Sequence, residues 1–290
     1  MRVIVLGAKG QLGTDIVQVL RSAGHDVLSF DRSSLNLNID PLCDALEPLP
    51  DAEVVINCIA YVRVDDAEEA VVDVSRVNIA FPYALARYCE RTNKTLIHIS
   101  TDFVFNGEKG EPYEETDKLS PINFYGLSKA AGELAVSSTC RKHFVLRVAG
   151  LYGRVGSGSK GGNFVETILR LAKEESPLNV VDDQITSPTH SLDVARAVLS
   201  LINKRSSAFG TYHCTNKGMC SWFEFACAIL EIAGIGAEIS ATKFEDLKLK
   251  ALRPQFSALH TEKLDALYTM PDWRTALTEY LWIKGHLRSQ

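Results

Sequence analysis

The chain has 290 residues and a mass of 31.9 kDa, room for one large domain or two modest ones sharing an interface. Hydrophobic residues make up 46% and charged residues 23%, a globular composition that excludes a disordered chain. A formal net charge of -5 offers no attraction for nucleic acid or an anionic membrane, so neither is expected as a partner. The apolar run Val3–Leu6 stops at Gly7, too short for a secretion signal, and Val54–Val62 is broken by Asn57 well short of a membrane span. Seven cysteines without a C-x-x-C pair read as buried thiols of a reducing cytoplasm, and no His or Cys stands at zinc-ligand spacing.

In chain order, Arg2–Leu6 is predicted as a strand, Gly13–Ser22 as the helix after it, and Asp26–Phe30, Val54–Asn57 and Thr95–Ser100 as further strands. Their nearly continuous Val, Ile and Leu content is that of parallel strands covered on both faces. Apolar residues at Val74, Val77, Ala80, Phe81, Ala84, Leu85 and Tyr88 predict a helix over Val74–Glu90, which Pro82 is expected to kink or bound. The alternation gives repeated βαβ units and hence an α/β, doubly wound parallel sheet. Past residue 145 the pattern loosens. Gly153–Gly162 is expected to be a mobile loop, and helices are predicted at Asn163–Glu174, Ser191–Asn203, Ser221–Ala233 and from near Pro271. Ser240–Leu259 has no readable period.

The first strand runs straight into Gly7-Ala8-Lys9-Gly10-Gln11-Leu12-Gly13, a G-x-x-G-x-x-G turn that opens a helix. Small residues here let the backbone approach a pyrophosphate and let strand and helix pack closely, while unpaired N–H groups at the helix start meet the negative charge. Asp31 ends the second strand, where an acid accepts hydrogen bonds from the adenosine ribose. Arg32 follows it and suits a 2′-phosphate. The acid favours NADH and the base NADPH, so both cofactors stay open.

The fourth strand ends in Ser100-Thr101-Asp102, hydroxyls at the carboxyl edge where α/β sheets gather ligands. Tyr125-Gly126-Leu127-Ser128-Lys129 then places a phenol and an ammonium on one face of a helix start. The expectation is that the cation lowers the phenol pKa towards the working range. Tyr125 would then give a proton to a carbonyl oxygen as hydride arrives, with Thr101 orienting that oxygen.

With these residues the chain resembles the extended short-chain dehydrogenase/reductase family and, within it, the dTDP-4-dehydrorhamnose reductases. The resemblance extends through Asn57–Tyr61, Val64–Glu68, Ser100–Gly107, Pro121–Lys129, Gly162–Val165, Asp182–Thr189, Ser221–Ala226 and Arg253-Pro254. It implies a cytoplasmic Rossmann-type enzyme that reduces the C4 ketone of a nucleotide-linked 4-keto-6-deoxyhexose, with Thr101, Tyr125 and Lys129 as its triad. Ser100, Tyr125 and Lys129 would also touch the cofactor, Lys129 at the nicotinamide ribose, and Cys58, Ile59 and Ala60 would pass along it. Residues 1–148 would bind the dinucleotide, a segment of about 176–200 returning to them, and 149–290 would mainly form a smaller, discontinuous domain for the sugar nucleotide. Phe103, Asn163, Gln184 and Arg253 are its candidate contacts, Arg253 for the diphosphate.

The sequence also departs from the family. Phe103 stands where Tyr is usual, and Gly150 lies where a Trp is frequent, changes that reshape a sugar pocket and spare the triad. Some relatives hold magnesium at a dimer contact, so a homodimer and a magnesium ion both stay open. Here Asp15 replaces the usual glutamate, the ligand set is incomplete, and no metal-ligating residue is assigned. Two other readings stand beside the reductase: another nucleotide-sugar reductase or epimerase, and a non-catalytic NADP-binding regulatory subunit on the same fold.

Overall fold

A computed structural model describes residues 1–155, 162–174, 177–204 and 207–287. Six parallel strands form the central sheet: β1 (Arg2–Leu6), β2 (Asp26–Phe30), β3 (Val54–Asn57), β4 (Thr95–Thr101), β5 (His143–Val148) and β6 (Gly210–His213). They lie in the order β6-β5-β4-β3-β1-β2, so the winding direction reverses between β1 and β3. Ligand crevices in such sheets open at that switch, at the carboxyl ends of the strands. β5 and β6 are not among the strands predicted from the sequence.

Successive side chains of a strand point to opposite faces, and both faces here are covered. Val3, Val5, Ile56, Ile97 and Leu146 meet helix α1 (Gln11–Ser22) on one side, together with Val194, Val198 and Leu201 of a helix from much later in the chain. Ile4, Leu6, Val55, Leu96 and Val145 meet Phe81, Leu85, Cys89 and Val136 on the other. Phe81, Leu85 and Cys89 lie on α2, a continuous helical run over 71–91. The boundary expected at Pro82 is there: the run passes through one wide π turn over Arg76–Ala80, and an α-helical segment starts at Phe81 with Pro82 in its first turn, where a missing N–H is tolerated. Val136 belongs to α3 (Phe124–Thr139).

A second core gathers Tyr152, Ile168, Leu169, Phe225, Ile229, Trp273, Leu277 and Tyr280. Its helices are α4 (Phe164–Lys173), α6 (Trp222–Ala233) and α7 (Trp273–Ile283). α5 (Ser191–Asn203) is the late helix that packs on the sheet beside α1. The 240–259 stretch holds the end of a short strand, Ile239–Thr242, paired with Leu178–Val181, and a 3-10 turn at Phe244–Leu247. Of the expected glycine loop, residues 156–161 lie outside the described residues. No helix among the described residues is long and apolar enough to cross a membrane.

Candidate active site

The strand-turn-helix at the amino end forms as its glycines demand. Gly7 takes φ +81° and lies against the chain at Cys58 and Ile59, where an added Cβ would come within 3.0 Å of the Cys58 carbonyl carbon. A Cβ on Gly13 would collide with the Gly7 carbonyl oxygen at 2.2 Å. Gly10 caps α1 without any side-chain hydrogen bond, so no side chain of the cap satisfies the first N–H groups of the helix. The Gln11 Oε1 and Ser100 Oγ atoms are buried and unpartnered among the described residues. A bare helix start, a backbone cradle that a side chain would fill and two orphaned polar atoms fit a dinucleotide diphosphate running past Cys58, Ile59 and Ala60.

The adenosine end differs from the simple acid-to-ribose reading. Asp31 is paired with Lys9 of the glycine turn, and its Oδ1 accepts from Ser33 N at 2.9 Å and Ser33 Oγ at 2.6 Å. The Lys9 ammonium, with Ser33, holds the carboxyl well below the usual carboxylate range. Arg32 is exposed beside it. Lys9 carries no signal in the sequence, since only the fold turns its side chain back on the second strand.

At the carboxyl end of β4, Thr101 and Tyr125 are brought together. α3 can settle there because Gly126 and Gly132 have no side chain: a Cβ would lie 2.1 Å from the Phe103 carbonyl oxygen at one and 2.3 Å from that of Asn78 at the other. Asn123 starts the helix, its Oδ1 accepting from Gly126 N at 2.7 Å. Burial pushes the Tyr125 phenol up to about 12, against a hydrogen bond with Thr101, while the Asp102 carboxylate adds to the rise. This corrects the expected lowering by Lys129. The Lys129 Nζ turns towards β4 instead, donating to the Ile99 carbonyl at 2.7 Å, and burial lowers its own pKa to about 8. Phe103 meets the Tyr125 ring edge-on, centroids 5.8 Å apart.

The substrate-side residues fare unequally. Gln184 is buried with Nε2 unpartnered among the described residues, as a ligand-facing amide should be. Arg253 is held by Asp65, at 2.6 Å and 3.3 Å, and lies over the Phe244 ring. Asn163 is engaged within the fold: its Oδ1 caps α4 through Glu166 N at 3.0 Å, while Nδ2 donates to the Gly153 carbonyl and the Tyr280 hydroxyl. Its polar atoms are spent on the second core. Trp222, missed by sequence, lies against Gly150, where a Cβ would come within 3.5 Å of the indole.

Magnesium through Asp15 finds no support, because that buried carboxylate is taken by Ser191 Oγ and by Arg154 at 3.3 Å. His190, Asp193 and Glu279 are the one metal-like cluster among the described residues. Arg196 already spans its two acids, at 2.9 Å and 2.7 Å, and supplies the positive charge an ion would bring.

Fold and site together define a nicotinamide-dinucleotide-dependent oxidoreductase on a Rossmann-like sheet. The RmlD substrate binding domain family matches residues 1–285, and the chain belongs to that family. It is 37% identical over 285 residues to the spore coat polysaccharide biosynthesis protein SpsK of Bacillus subtilis, covering 97% of this chain and 96% of that protein. The dTDP-4-dehydrorhamnose reductase of Aggregatibacter actinomycetemcomitans is 35% identical, with 95% and 97% covered. Among solved structures, the Bacillus anthracis dTDP-4-dehydrorhamnose reductase in complex with NADP has a TM-score of 0.90 at 35% identity, covering 98% of this chain and 99% of that one.

Proposed function

We propose that this chain reduces the C4 ketone of a dTDP-linked 4-keto-6-deoxyhexose with NADPH, the step named for its reductase relatives. The observation that carries the reading is the Thr101–Tyr125 hydroxyl pair beside the glycine cradle, with Lys129 one turn further along α3. The cofactor, when bound, supplies hydride to the ketone carbon. Thr101 orients the ketone oxygen, and Tyr125 gives it a proton as negative charge develops there. The neutral phenol is the form that can donate, so a phenol held at about 12 is kept in its donor state at neutral pH. Lys129 holds the proton balance below the phenol and binds the nicotinamide ribose. The glycine turn, Ser100 and Cys58–Ala60 hold the rest of the dinucleotide. On the sugar-nucleotide side we assign Phe103, Trp222, Gln184 and Arg253, the last to the diphosphate, with that lobe drawn mainly from 149–290.

The NADPH preference rests on charge. Lys9 and Arg32 outnumber Asp31, leaving a net positive site for a 2′-phosphate, and Asp31 is already engaged by Lys9 and Ser33. The test is oxidation of NADPH followed optically with the dTDP-4-keto-6-deoxy sugar, alongside dissociation constants for NADPH and NADH. Turnover with tighter NADPH binding is the expected outcome. Tight NADP binding without turnover on any nucleotide sugar would move the chain to the non-catalytic regulatory reading.

A further inference from the structure

Lys129 is held by more than the proposed reaction requires. Its Nζ stands 3.4 Å from Nε2 of His98, a wholly buried residue of β4. The other ring nitrogen of His98, Nδ1, is 3.1 Å from Nδ2 of Asn57, also wholly buried. Asn57 cannot be turned round, because its Oδ1 accepts from the backbone N–H of Ile59 at 3.0 Å, a group that can only donate. Its Nδ2 therefore donates to His98, and Nδ1 must accept. The neutral imidazole carries its proton on Nε2 and points that N–H at Lys129. An imidazolium would set a second N–H against the Asn57 amide, and burial, with Lys129 nearby, keeps the ring well below its ordinary pKa.

Facing an N–H, only the neutral amine of Lys129 offers a lone pair; an ammonium meets it proton to proton. We propose that His98, oriented by Asn57, is a positioning residue that holds down the proton affinity of Lys129 through a one-way hydrogen-bond chain starting at the Ile59 N–H. The proposal deepens the reductase reading and rests on it for the place of Lys129 in the site. Other groups face Nζ too. Glu133, one turn along α3, favours the ammonium but is itself bound by Arg147 at 2.8 Å and 3.0 Å. The Cys58 thiol at the end of β3 is pushed up to about 12 by burial and is uncharged. Burial of Lys129 acts in the same direction as His98. The consequence is functional: an amine that exchanges its proton near neutrality can take part in proton movement within the site, whereas a fixed ammonium only supplies charge.

Burial alone and the hydrogen-bond chain predict opposite signs for the same substitutions. Replacing His98 by Phe, or Asn57 by Leu, makes the surroundings more apolar, which on burial alone lowers the Lys129 pKa further. The chain predicts a rise of about one unit, a tenfold gain in proton affinity, because the opposing N–H is removed in His98→Phe and released in Asn57→Leu. The measurement is an NMR titration of the full chain labelled at lysine Cε, with Lys129→Met identifying the signal. An unchanged or lowered value in the folded variants overturns the proposal. The histidine ring nitrogens of the unsubstituted protein provide a second test that needs no variant: a proton on Nδ1 of His98 overturns the proposal, and one on Nε2 supports it. Failure of the reductase reading would appear as absent turnover and leave these titrations as they are.

Discussion

On the glycine-lined side of the crevice, the groups that would meet a ligand are backbone N–H donors fixed by β1 and α1; on the facing side the charged candidate, Arg253, is a side chain already held by an acid. Gly7, Gly10 and Gly13 leave a cradle that keeps its shape with or without a partner. Arg253 instead makes its bonds to Asp65, and its neighbour Lys250 lies 2.6 Å from Glu69. Both pairs run between the 248–254 segment and the first half of the chain. The first side is preorganised, while on the second the proposed diphosphate contact of Arg253 would exchange an internal carboxylate for a phosphate. Binding free energy is thus gained whole on one side and net of a broken ion pair on the other.

The sharpest way to break this comparison is at the junction of the two sides, Tyr125. Tyr125→Phe keeps the ring against Phe103 and removes only the phenolic oxygen. Loss of a general acid should lower kcat by about 10²–10⁴-fold. The NADPH dissociation constant should hold steady, because the phenol acts chiefly in the transition state and the cradle that would hold the diphosphate is backbone. Full activity in this variant would remove Tyr125 as the proton donor, and a matching loss of cofactor affinity would show that the two sides are not separable.

The same contrast explains what is legible in the sequence. β1–β4 and the glycine turn are readable because buried parallel strands and a backbone cradle restrict residue type at each position. The small second-lobe strands, such as Ile185–Thr186 against Cys220–Ser221, span two residues and carry no period. β6, Gly210–His213, is not readable because it joins the sheet from far along the chain. Within the site, Tyr125, Thr101 and Gly13 are visible from spacing. Lys9 on Asp31, Trp222 on Gly150 and His98 on Lys129 are contacts across long sequence distances, which one sequence does not encode locally. The Y-x-x-x-K spacing also misleads in one respect: it sets phenol and ammonium on one helical face, but the Ile99 carbonyl takes the ammonium towards β4.

Arg253→Ala probes the exchanging side by itself. A charge-assisted contact to a diphosphate should be worth about 1.5–3 kcal/mol, so KM for the sugar nucleotide should rise roughly ten- to a hundredfold. The lost pair with Asp65 moves the result towards the lower figure, since the free enzyme also loses an interaction. NADPH affinity should not change. If KM stays level while thermal stability falls, Arg253 serves only to tie the 248–254 segment to Asp65, and the assigned diphosphate partner must be sought elsewhere.

The smallest effect is expected at Asn163, and there the comparison can be sharpened rather than broken. Its Oδ1 caps α4, and its Nδ2 reaches the Gly153 carbonyl and the Tyr280 hydroxyl, which in turn lies 2.6 Å from Glu166. Asn163→Ala should therefore cost about 1–2 kcal/mol of stability, the usual loss for a helix cap. Chemical denaturation reads this as a lower midpoint with an unchanged slope. Because those bonds tie α4 to α7 within the second core, KM should barely move. A KM rise without loss of stability would return Asn163 to the sugar contacts that its place in the sequence suggests. It would also mean that this side of the crevice holds a fixed donor after all, and that its difference from the glycine side is one of degree.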